Sequence, residues 1–187
     1  HAQRAVLCEF DTAYLAPDAS EAEVEAAFAR HDRGEARCVA ALFEAQQHFA
    51  RFAEIGATTA SALCAAAGRR RIPTIVDEIW SGVFRTGRFV ASAPAETVAA
   101  GDGVRSVGAL PDVMVLGKGL SASLTKHSAL LVRTSLLPLG PTGEPCVPRY
   151  VAPCGLSCAL IAAALGASSA ARLKARADQI AAQLQAA

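Results

Sequence analysis

The sequence has no excess of charge of either sign: 18 Lys and Arg stand against 17 Asp and Glu, a formal net charge of +1. Nucleic acids and anionic membranes bind through accumulated positive charge, so neither is expected as a partner. No run approaches the ~20 consecutive apolar residues that cross a bilayer. The most apolar segment, residues 158–165, soon meets Gly166, Ser168 and Ser169. Six cysteines occur, at 8, 38, 64, 146, 154 and 158, without a Cys-x-x-Cys pair or zinc-knuckle spacing. They predict neither a metal site nor a disulfide framework, but small core residues of a reducing compartment. Internal repeats are lacking, and so is a Gly-x-Gly-x-x-Gly fingerprint, which argues against dinucleotide binding. The chain opens on His1 with no charged-then-apolar leader, so it is expected to be a fragment, a processed product or part of something longer.

What is present is a globular composition, 52% hydrophobic and 19% charged over 187 residues, enough for one domain. Short β-branched or apolar runs at 38–43, 72–76, 113–116 and 128–133 alternate with Ala-rich helical stretches. The runs are nearly continuous in apolar character rather than alternating. Strands covered on both faces read this way, which predicts an α/β fold with a mostly parallel sheet flanked by helices. Ser20 and Glu23 have capping-box spacing, followed by Val24, Ala27 and Phe28 at helical intervals. A second helix is expected over 58–67, stopping at Gly68, with Arg69, Arg70 and Arg71 solvated at its negative end. A last helix begins near Ser157, breaks around Gly166 and resumes with Leu173, Ala177, Ile180 and Leu184 on one stripe. Residues 91–110 and 138–153 read as surface loops.

Each expected strand delivers polar residues at its carboxyl end: Glu44, then Asp77 and Glu78, then Lys118. In open α/β sheets ligands bind in the crevice at those ends. Lys118 lies between Gly117 and Gly119, in apolar surroundings. A tight, poorly solvated setting suits a lysine that forms a Schiff base. Asp77 ends an apolar run and needs a partner; a protonated pyridine nitrogen is one that satisfies it. His31, His48 and His127 show no ligand spacing, Trp80 reads as a packing residue, and Ser157 lacks the context of a nucleophile elbow.

Together these residues resemble a family. Asp77-Glu78-Ile79-Trp80-Ser81-Gly82-Val83-Phe84-Arg85-Thr86-Gly87 is similar to the Asp-Glu-Val-x-Thr-Gly-x-x-Arg-Thr-Gly motif of class-III (omega) aminotransferases. Pro111 to Leu120 resembles that family's Schiff-base lysine segment, and Phe43-Glu44-Ala45-Gln46-Gln47 its Glu-Pro-x-Gln strand end. Leu156-Ser157-Cys158-Ala159 is similar to the segment leading to the interdomain helix. The resemblance covers roughly residues 36–187. It implies the large domain of a fold-type-I pyridoxal-phosphate transferase, present in part over residues 1–187 and ending in the interdomain helix. The N-terminal phosphate-binding part and the small C-terminal domain would be absent. The implied cofactor is pyridoxal 5'-phosphate. The implied roles are Lys118 as Schiff-base lysine and proton shuttle, Asp77 on the pyridine nitrogen, Ile79 on the ring face, and Glu44 and Gln47 near cofactor or substrate.

Implied partners are small amines and keto or aldehyde acceptors, within a homodimer in the cytoplasm or mitochondrial matrix. Trp80 and the bulky residue before Arg85 resemble the diaminopelargonate aminotransferases of biotin biosynthesis. The departures are Ala45 for Pro, Trp80 for the commoner Gln, no Thr near 150–152 for a neighbour's phosphate, and a long interval from Asp77 to Lys118. They leave an alternative, a catalytically inactive aminotransferase-like structural or interaction subunit.

Overall fold

The computed structural model describes residues 12–33, 37–48, 53–86, 89–92, 111–121, 127–143 and 155–167, and positions 172, 175, 176, 178, 179, 182 and 183. Helix α1 (Glu21–Asp32) starts at the expected capping box. The Ser20 hydroxyl accepts from the Glu23 amide at 3.3 Å, and the Glu23 carboxylate accepts from the Ser20 amide at 2.8 Å. The hydroxyl and amide of Ser20 hold the exposed Glu23 carboxyl below its ordinary value. The helix buries Val24, Ala27 and Phe28, the stripe read from the sequence. Strand β1 (Ala41–Glu44), helix α2 (Ala57–Arg69) and strand β2 (Thr74–Asp77) then form a parallel crossover.

Helix α2 does not stop at Gly68. It runs to Arg69, and the left-handed residue after it is Arg71, with φ 56°. The Ile72 amide donates back to the Ala67 carbonyl at 2.9 Å, a Schellman closure. Nor is the arginine run merely solvated. Arg69 and Arg70 pair with Glu25, Arg70 also reaches Asp32 at 2.8 Å, and the Arg70 guanidinium lies 5.1 Å above the Phe28 ring. These contacts lash the end of α2 to α1, a tertiary pairing that local sequence does not show.

Strand β3 (Val113–Leu116) pairs parallel to β2, and β4 (Ala129–Val132) pairs antiparallel to β3, so the sheet order is β1-β2-β3-β4. Helix α2 lies on one face, where Ala41, Phe43, Thr74 and Val76 are buried with Leu63, Ala66 and Ala67. On the other face Leu42 is 66% exposed and Leu130 64%. The expectation of strands covered on both faces is therefore not met among the described residues. Helix α3 (Gly155–Ala167) packs beside the 3₁₀ turn Lys118–Ser121. No described helix is long and apolar enough to cross a membrane.

Cys64 fits the core reading: it is buried, and burial pushes its thiol up despite a hydrogen bond with Thr74. Cys38 is half-buried, and Cys158 is exposed on α3, contrary to that reading. Cys8, Cys146 and Cys154, most of the expected 91–110 loop, residues 144–153, and the Leu173, Ala177, Ile180 and Leu184 stripe lie outside the described residues.

The sheet is pinned at its amino end by Asp112. Its carboxylate accepts from the Thr74 amide at 2.9 Å, the Thr74 hydroxyl at 3.0 Å and Arg133 Nε at 2.7 Å. Burial works to raise its pKa, but the Thr74 and Arg133 bonds outweigh that, and the net shift is downward. A carboxyl lowered on folding adds stability above its unfolded value and loses it as pH falls through its folded value. Asp112→Asn is therefore expected to lower the melting temperature at pH 7, and the gap from the parent should close below about pH 4. Thermal melts across pH 2–7 check this; a gap independent of pH would remove the ionic contribution.

Candidate functional site

Three parallel strands end at one rim. Glu44 is the last residue of β1 and is in register with Asp77, the last residue of β2. Asp77 is in register with Val115 of β3, and Lys118 follows β3 after Gly117. Neighbouring strands lie about 4.8 Å apart, so the tips bearing the carboxylate and the amine are adjacent.

The backbone explains the glycines around the lysine. A Cβ on Gly117 would meet Ile79 Cγ2 at 3.3 Å, and one on Gly119 would meet Val83 Cβ at 3.3 Å. The stretch 117–119 is pressed against the loop that follows β2, and Lys118 itself sits in the left-handed region at φ 42°. The opposing loop is equally tight. A Cβ on Gly82 would come 2.7 Å from the Glu78 carbonyl oxygen, so that position needs glycine.

The half-buried Asp77 accepts the Ile79 amide on Oδ1 at 2.8 Å. Its second oxygen has no partner among the described residues and can accept one further donor. Ile79 lies against Gly117, beside Lys118. Glu44 accepts the His48 amide at 3.2 Å, and the His48 ring stacks on Trp80 at 3.7 Å and 11°. The Lys118 ammonium lies 3.8 Å from the centre of the Trp80 ring, and the Arg85 guanidinium carbon 5.8 Å from it. A cation on an indole face is worth about 0.5–2 kcal/mol. That is comparable to the ~2 kcal/mol of rotamer freedom in a lysine side chain, so the contact biases the amine without locking it.

Of the residues singled out from the sequence, the fold brings Glu44, Asp77, Ile79 and Lys118 together. Gln47 sits one residue before His48, and its described bond is from its backbone amide to Ala53 at 2.8 Å. Glu78 is not part of an acid pair at the rim. Its side chain is fully buried and takes the Ser81 hydroxyl and the amides of Ala91 and Ser92, at 3.1 and 2.6 Å. Side chains of successive residues at a strand end leave on opposite sides, which separates Asp77 from Glu78. Sequence reasoning missed Trp80 and His48 as site residues. The one available signal was the break from the motif at position 80, where an aromatic replaces a polar amide. Among the described residues, no group of three or more His, Cys, Asp or Glu side chains is arranged to hold a metal.

The ring end of pyridoxal fits these residues. A carboxylate oxygen without a partner among the described residues, an apolar flank at Ile79 and a primary amine occupy adjoining strand tips, as a flat ring with a basic nitrogen and an aldehyde requires.

No family profile matches the chain, nor does any curated protein. Solved structures do. The fold is that of fold-type-I pyridoxal-phosphate aminotransferases, a mostly parallel sheet with flanking helices. Among them, an aminotransferase from Bacillus anthracis superposes with a TM-score of 0.57 at 17% identity, over 78% of this chain and 30% of that one. The acetylornithine aminotransferase from Elizabethkingia anophelis gives 0.55 at 22% identity, over 78% and 32%. An ornithine aminotransferase from Toxoplasma gondii, described with partial occupancy of PLP at its active site, gives 0.54 at 24%, over 88% and 34%. The chain spans about a third of the length of these structures. At such identities the likeness establishes the fold.

Proposed function

We propose that the chain is the cofactor-domain portion of a pyridoxal-phosphate-dependent aminotransferase of class-III type, moving an amino group between an amine donor and a carbonyl acceptor. One observation carries the reading: Lys118 and a half-satisfied Asp77 stand on adjacent strand tips of this fold. When bound, pyridoxal phosphate supplies an electron sink for the carbanion formed at the substrate carbon. The chain supplies the rest. Lys118 Nζ anchors the cofactor and then carries the proton at the reacting carbon. Asp77 Oδ2 accepts a ring N–H and keeps it protonated, because a carboxylate favours a nearby cation. Ile79 presents an apolar side chain to the ring face and keeps water from it. Glu44 holds the His48 backbone, and with it the aromatic stack at the edge of the site.

Phosphate contacts, substrate contacts and a homodimer mate belong to the same proposal, as does a biotin-pathway substrate suggested by Trp80. The test is reduction by borohydride of the whole protein incubated with pyridoxal phosphate, followed by peptide mass spectrometry. A pyridoxyl group concentrated on Lys118, and not on Lys126 or Lys174, is expected. A well-folded protein with an unmodified Lys118 overturns the reading in favour of a scaffold subunit.

A further inference from the structure

Trp80 belongs to no step described above, yet it touches three parts of the rim. It follows β2 by three residues, stacks on His48 beyond β1, and carries the amine of Lys118 from beyond β3. Strands β1 and β3 are not neighbours, because β2 lies between them. The stack therefore links the loops after the outer two strands across the loop after the middle one. The imidazole occupies one indole face at 3.7 Å, so the ammonium, at 3.8 Å, rests on the other. With one face covered and Glu44 holding the His48 amide, the indole is a fixed surface against which a flexible lysine can rest. The Arg85 guanidinium carbon lies farther from the same ring, at 5.8 Å.

We propose that Trp80 is a positioning residue for Lys118: it gives the ammonium a resting place at the rim, from which the amine leaves to react. The inference rests on the reading of Lys118 as the reacting amine, but its test does not use the cofactor. While the ammonium sits on the ring it is withheld from electrophiles, since only the free amine attacks. The whole protein, stripped of carbonyl ligands with hydroxylamine, is treated with acetic anhydride at fixed pH. Labelling of each lysine is then followed by mass spectrometry.

Trp80→Leu removes the aromatic face, and Lys118 should label about 2- to 30-fold faster, the range that a cation–π contact spans. Trp80→Phe keeps a weaker face and should fall between. Lys126 and Lys174 should not change, which separates positioning from general loosening. Trp80 is the sole tryptophan, so Lys118→Met provides a second readout: removing the cation should shift its emission. Equal Lys118 labelling in parent and Trp80→Leu, or emission unchanged in Lys118→Met, overturns the proposal. Neither result touches the aminotransferase reading, which stands or falls on cofactor capture.

Discussion

On the proposed function, Lys118→Ala is expected to lower amino transfer by the whole protein at least about 10²–10⁴-fold, the contribution of a positioned proton-transfer group. The further loss of the anchoring amine adds to that figure. The fold should survive, because the Lys118 side chain is half-buried and its described contact is with the Trp80 ring. Lys118→Arg sharpens the result. A guanidinium still rests on an aromatic ring but does not give up its proton near neutral pH, so activity should fall as far as with alanine. Small primary amines in the buffer should restore part of the activity of Lys118→Ala and none of that of Lys118→Arg, where the side chain fills the space. Steady-state rates with and without added methylamine check both. Activity retained in Lys118→Ala without added amine would remove the lysine from the reaction.

The largest stability effect is expected at Glu78. Its buried carboxylate gathers the Ser81 hydroxyl and the Ala91 and Ser92 amides, folding residues 89–92 back over the loop that carries Ile79 and Trp80. Glu78→Ala strands these donors. An unsatisfied buried donor costs about 1–3 kcal/mol, and Ala91 and Ser92 are half-buried, so water recovers part of the loss. A net destabilisation of about 2 kcal/mol follows, or roughly 4–8 °C in melting temperature for a domain of this size. Glu78→Gln keeps the shape but turns one acceptor into a donor facing an N–H or O–H group, and should fall between. Thermal melts of the two variants check the order. Equal melting of parent and Glu78→Ala would show that the carboxylate does not hold the loop.

How far the sequence reached depends on whether a signal is local. The Ser20–Glu23 cap and the run at 113–116 are local, and both appear where expected. The position of Asp77 and Lys118 at the strand ends was legible for the same reason: each closes or follows an apolar run. The missed features pair residues distant in sequence. His48 and Trp80 meet across 32 positions, and Arg69 and Glu25 across 44, with nothing in either neighbourhood to announce the partner. Glu78 was misplaced because adjacency in sequence suggested adjacency in function, whereas strand geometry sends neighbours to opposite sides. The apolar runs at 38–43 and 128–133 promised two covered faces. Leu42 and Leu130 are nevertheless exposed, since apolar character records what a strand tolerates rather than what lies against it in the described residues.

In the proposed function Asp77 and Lys118 serve two ends of one ring. A crystal structure of the whole protein grown with pyridoxal phosphate measures this directly. Continuous density from Lys118 Nζ into the cofactor is expected, with an Asp77 oxygen about 3 Å from the ring nitrogen. A cofactor bound away from this rim, or a ring nitrogen facing a group other than Asp77, would contradict it.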